Sequence, residues 1–136
     1  MKIQITATIS MNGYLALAYE KAHRWSFSRK YALPLLRDNA NMELHKHTSL
    51  ISLINDRRNG DKGIYLVQAS SENTDLIKGL LLYDLADEII LYVLPEDKNE
   101  GIRFTDYVPF SDWTSHEEHR FNDGTYYRLY RRRIQP

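Results

Sequence analysis

The stretch that decides the fold is residues 64–94, IYLVQASSENTDLIKGLLLYDLADEIILYVL. It opens on Ile64, Tyr65, Leu66 and Val67, a short unbroken apolar run of the kind that forms a central strand covered on both faces. Ser70, Ser71, Glu72 and Asn73 make a polar break. Thr74 then has the side chain of a helix N-cap, and Asp75 sits where a carboxylate favours the helix dipole. Leu76, Ile77, Leu80, Leu81 and Leu85 recur at helical spacing and define a face turned to a core. A second apolar run, residues 89–94, stops at Pro95. Strand, helix and strand at these lengths predict a βαβ unit with parallel strands and a right-handed crossover.

Working outward, Ile3, Ile5, Ala7 and Ile9 alternate with Gln4, Thr6 and Thr8, which is the period of a strand. Asn12-Gly13 marks a turn, since both residue types tolerate positive φ. Residues 14–25 are irregular in pattern and end on Trp25. Ser26 or Ser28 can cap a helix running to Arg37, which Pro34 kinks or restarts. Leu50, Ile51, Leu53 and Ile54 form a further helical stripe, closed by Asn59-Gly60. Residues 113–121 and 125–133 flank Asn122-Asp123-Gly124, a hairpin signal. The prediction is one domain, residues 1–136, of α/β class. A mixed central sheet carries a βαβ core and a C-terminal antiparallel hairpin, in three layers.

Composition fits this reading. Of 136 residues, 43% are hydrophobic and 26% charged, and 18 basic side chains balance 18 acidic ones. That balance gives no field toward nucleic acid or an anionic membrane. Cysteine is absent, which excludes disulfides, thiolate metal sites and a cysteine nucleophile. No apolar run reaches bilayer length, and the opening MKIQITATIS lacks a signal peptide's apolar block, so the expectation is a cytoplasmic protein. His45 and His47 have no third ligand near them. His116 and His119 lack the metalloprotease spacing, so no metal is expected. Arg120, Arg128 and Arg131 to Arg133 are read first as charged protection of an edge strand, with phosphate contact as the second reading.

The segments ITATISMNGYLA (residues 5–16), IYLVQASSENTDLIKGLLLYDLADEIILYVLP (64–95) and the tail from residue 103 together resemble the dihydrofolate reductase-like family. That family includes the dihydrofolate reductases and the reductase domain of riboflavin biosynthesis. Within the middle segment, Leu85-Ala86-Asp87-Glu88-Ile89 is similar to the family's step into its next strand. Phe104, Tyr107, Pro109 and Trp113 stand in the family's order before the closing hairpin. The resemblance implies a three-layer α/β/α fold and an NADPH-dependent reduction of a small heteroaromatic, pyrimidine- or pterin-like substrate. It places Asn12, Tyr14 and Trp25 at the substrate, and Ala7, Gly13, Ala69, Ser70, Ser71 and Asn73 at the cofactor. It also implies a homodimer.

The chain departs from the family pattern in three places. Residues 38–62 lack the family's cofactor-phosphate segment, Ala69-Ser70 stands where the family has two glycines, and no carboxylate follows Trp25 within residues 26–30. No catalytic residue is assigned. Those departures define the alternative expectation, a catalytically degenerate domain kept for ligand binding or dimerisation.

Overall fold

The computed structural model describes residues 1–16, 39–98 and 100–133. The elements are β1 (Lys2–Ile9), β2 (Met42–Glu43), α1 (Leu50–Arg58), β3 (Ile64–Gln68), α2 (Thr74–Leu82), β4 (Glu88–Val93), β5 (Trp113–Arg120) and β6 (Tyr126–Arg132). Two short 3₁₀ turns, Phe104–Asp106 and Phe110–Asp112, lead into β5. The strands form one six-stranded sheet in the order β2-β3-β1-β4-β6-β5. β1 lies parallel to β3 on one side and to β4 on the other, and β4, β6 and β5 run antiparallel in turn. The α/β class, the βαβ core and the closing hairpin predicted from the sequence are therefore all present. β1 fills the place between the two strands of the βαβ unit.

Alternation along β1 sorts the sheet into two faces. Ile3, Ile5, Ala7 and Ile9 join Leu53, Leu76, Ile77 and Leu80 in the main core, so α1 and α2 cover one face. The other face presents Ile90, Tyr92, Leu94 and Leu129 as a second buried cluster with Ala16. The expected helix over residues 26–37, with Trp25 at its head, lies outside the described residues.

Both helices end in the same device. After α1, Gly60 takes a positive φ of 78°, Asp61 N–H donates to the Asp56 carbonyl and Gly60 N–H to that of Arg57, a Schellman ending. After α2, Leu85 N–H donates to Leu80 and Asp84 N–H to Leu81, and Asp84 holds the left-handed position at φ 56°. A side chain there costs about 1 kcal/mol relative to glycine. Asp84→Gly is therefore expected to raise the urea unfolding free energy by up to about 1 kcal/mol, whereas Gly60→Asp should lower it by a similar amount.

Two expectations are corrected, and the fold of residues 38–62, which the sequence leaves open, is defined. The N-cap of α2 is Asn73, not Thr74, because the Asn73 side chain is held back in the preceding loop and the helix starts one residue earlier. Ile51 is 71% exposed, and only Leu53 of the α1 stripe is buried. Residues 38–62 do contribute a strand: Met42 and Glu43 pair in parallel with Tyr65 and Leu66. Two residues are too few to show an alternating pattern.

Charges gather at the amino end of the parallel strands. Asp87 accepts from Ile3 N–H at 2.8 Å and from Arg57 at 2.6 Å. Beside it Glu88, 4% exposed, accepts from Gln4 and from Arg131, both at 2.8 Å, and lies 3.5 Å from Lys2. The Asp87-Glu88 step is thus a double clamp fastening β4 to β1, α1 and β6. At the same end the Tyr65 hydroxyl donates to Asp61 at 2.6 Å. That bond pushes Tyr65 up to about 12 and, with a Gly63 N–H, holds the Asp61 carboxyl below its usual range.

Candidate functional site

At the opposite, carboxyl end the chain reverses direction. β1 leads to β2, beyond β3 on one side, while β3 leads through α2 to β4 on the other. Neighbouring strands that send their connections opposite ways leave a crevice outside their carboxyl ends, the usual ligand position in such sheets. By that rule the candidate crevice falls between the loop after β1 (residues 10–16) and the loop after β3 (residues 69–73).

Hydrogen bonds fix the loop after β3. Ala69 N–H donates to the Thr6 carbonyl at 2.8 Å. The Asn73 amide bridges the loop, its oxygen accepting from Ser70 N–H and its nitrogen donating to the Gln68 carbonyl, both at 2.8 Å. Since that amide faces backward, Asn73 makes no capping bond to its own helix. The first-turn N–H groups of α2 are left without a side-chain cap, a backbone arrangement suited to an anion. Ser71 is exposed beside them.

Where the resemblance has glycine, the Ala69 methyl is harmless. Ala69 is 2% exposed and belongs to the main core, so its methyl packs into the core. Ala7 is likewise a core residue, 1% exposed. Charge is less favourable: the only ionisable groups between Ala69 and Asp75 are Glu72 and Asp75, both acidic and both exposed. An incoming phosphate would meet two carboxylates at close range.

The loop after β1 is more tightly held. Ser10, fully buried, donates from Oγ to Asn12 Oδ1 at 2.5 Å and accepts from Tyr14 N–H at 3.1 Å. Asn12 Oδ1 also accepts from Lys98 N–H at 3.0 Å, and its Nδ2 donates to the Lys98 carbonyl at 2.6 Å. Gly13 takes φ 93°, and a Cβ there would fall 2.2 Å from Thr105 Oγ1. Its carbonyl accepts from Phe104 N–H at 2.9 Å. The Asn12-Gly13 turn expected from sequence is present, and both residues are engaged with the chain itself. Tyr14 is half-buried beside them and pairs through its backbone with Arg103.

On the second face of the same strands Thr6, Thr8 and Tyr92 are buried. Burial pushes the Tyr92 hydroxyl well up, so it stays neutral. Of the sequence-predicted residues, Gly13, Ser70, Ser71 and Asn73 border the crevice with Asn12 and Tyr14. Ala7 and Ala69 lie in the core beneath it, and Trp25 falls outside the described residues. Ser10 and Lys98 were missed by sequence reasoning. Lys98 carries no local signal, whereas a serine two residues before Asn-Gly is a recognisable turn-stabilising pattern.

No family model matches the chain, and no curated protein sequence does. Solved structures do. A protein of Shewanella sp. PV-4 described as a riboflavin biosynthesis protein superposes with a TM-score of 0.53 at 12% identity, covering 98% of this chain and 100% of its own. The riboflavin biosynthesis reductase of Saccharomyces cerevisiae gives 0.51 at 8% identity over 98% of this chain and 89% of that one. This chain has the dihydrofolate reductase-like fold. RibD of Acinetobacter baumannii matches too, at a TM-score of 0.54 and 9% identity, over 97% of this chain and 58% of that longer one. At these identities the likeness carries the dihydrofolate reductase-like fold alone, and activity has to be argued from the crevice.

Proposed function

We propose that the chain is a reductase that binds NADPH across the crevice and reduces a small heteroaromatic, pyrimidine- or pterin-like compound. The observation that carries this reading is the start of α2. Asn73 turns its amide into the loop, the first-turn N–H groups carry no side-chain cap, and the Ala69 methyl lies in the core. That arrangement supports a dinucleotide phosphate at this turn. Ser71 and the N–H groups of Thr74 and Asp75 would hold it, with Gly13 and Tyr14 at the opposite wall. NADPH, when bound, supplies the hydride. The kinship of fold with riboflavin biosynthesis reductases supports the same reading.

Glu72 and Asp75 favour a second reading, a domain that keeps the scaffold for ligand binding or pairing without turnover. A homodimer is proposed under either reading, and its measure is sedimentation of the purified chain across concentrations.

Titration with NADPH, followed by tryptophan fluorescence and energy transfer to the nicotinamide, separates the readings. Saturable binding in the micromolar range, about −8 kcal/mol at 1 μM, with preference over NADH and oxidation of NADPH by a pyrimidine or pterin, is the expected result. Absence of binding at millimolar NADPH would retire the reductase.

A further inference from the structure

We infer that Asn12 is a positioning residue that keeps the crevice open, and not a contact for whatever enters it. The inference rests on the crevice being the ligand site. The Asn12 side chain joins the loop after β1 to the loop after β4 as a strand would: it accepts from Lys98 N–H and donates to the Lys98 carbonyl. Ser10 sets its orientation by donating to the same oxygen, which leaves that oxygen with two donors and no lone pair in reserve.

Four further bonds pull the same way. Met11 N–H donates to the Glu96 carbonyl at 2.7 Å, and Leu94 N–H to the Ile9 carbonyl at 2.8 Å. Lys98 Nζ donates to the Leu15 carbonyl at 3.1 Å, and Arg103 Nε to the Asn12 carbonyl at 3.1 Å. All four draw the loop after β1 toward the chain that follows β4. In contrast, none of the hydrogen bonds of residues 10–16 to described residues reaches residues 69–73, on the other wall. The width of the crevice is therefore set from the β4 side, and Asn12 is its main side-chain fastening.

The absence of native cysteine makes that width measurable. Spin labels on cysteines introduced at Met11 and Ser71, both exposed, report the distance between the two walls. Asn12→Asp keeps the size of the side chain but sets an oxygen against the Lys98 carbonyl, and Asn12→Ala removes the amide altogether. The expected result is a narrow distance distribution in the parent that broadens in both variants, with NADPH affinity falling about tenfold, the loss of roughly one hydrogen bond's worth of order.

A distribution that stays narrow overturns the inference, whether or not affinity falls; a narrow distribution with lost affinity would make Asn12 a direct ligand contact. Broadening with unchanged affinity also overturns it, because the fastening would then not govern the site. If the parent binds no NADPH, the reductase reading fails by itself. The distance arm alone then decides, broadening supporting the positioning role and a narrow distribution ending it.

Discussion

Gly13→Ala is expected to destabilise the protein by about 3 kcal/mol, the sum of two separable costs. A side chain at φ 93° is strained by about 1–2 kcal/mol. The new methyl also has nowhere to go: Thr105 Oγ1, Cγ2 and Cβ would lie 2.2, 2.9 and 3.1 Å from it. The two costs come apart by comparison. Gly101 has a similar φ of 101° but open space around the missing Cβ, so Gly101→Ala should show the backbone cost alone. Thr105→Ala in the Gly13→Ala background should recover part of the steric cost but not all, since the Cβ contact remains. Urea unfolding of the four proteins checks each step, and the melting temperature of Gly13→Ala should fall by about 10 °C. Equal losses for Gly13→Ala and Gly101→Ala would refute the close approach to Thr105.

The second large effect lies at the other end of the sheet. Glu88→Ala is expected to cost about 2 kcal/mol, through loss of charge-assisted hydrogen bonds from Gln4 and Arg131. The figure stays below the roughly 3–5 kcal/mol for breaking a fully buried ion pair, because the Lys2 and Arg131 side chains are 46% and 50% exposed and regain water. The effect also has a pH signature. Burial pushes the Glu88 carboxyl up, but the bonds from Gln4 and Arg131 and the charge of Lys2 outweigh it and hold the group below its ordinary 4.5. A carboxylate with a lowered folded-state value contributes stability that is complete above the unfolded value and disappears as pH falls through the folded one. The gap in unfolding free energy between the parent and Glu88→Gln should therefore be widest at neutral pH and shrink below about pH 4.5. A gap that does not change with pH would mean that the ionised carboxylate adds nothing.

These two positions also mark what was legible in the sequence. Asn12-Gly13 and Asp123-Gly124 are read correctly because a turn is a local event, written in residues that accept positive φ. The βαβ unit is legible because its period changes twice within residues 64–94. What Asn12 binds is not legible, since its partner Lys98 lies 86 positions away. Glu88 is similar: nothing beside it announces Gln4 or Arg131. The resemblance marks the Asp87-Glu88 step as a pattern, and only the structure explains it as a clamp. The error at the start of α2 has a comparable cause. Asn73 and Thr74 are both capping residue types, and the demands of the loop on the Asn73 amide decide where the helix begins. In the same way, the replacement of glycine by Ala69 looked damaging until the structure showed its methyl in the core.

The place of β1 in the sheet bears on how the chain comes together during synthesis. Its strand partners are β3 on one side, where Lys2 meets Ile64, and β4 on the other, where Ile9 meets Val93. A ribosome must therefore add more than eighty further residues before the isoleucine-rich strand can be enclosed on both edges. Until then it is an unpaired β-prone segment with no charge between Ile3 and Ile9, open to pairing with other nascent chains. Slow, non-local closure of this kind leaves the yield of native protein sensitive to translation rate and chaperone supply.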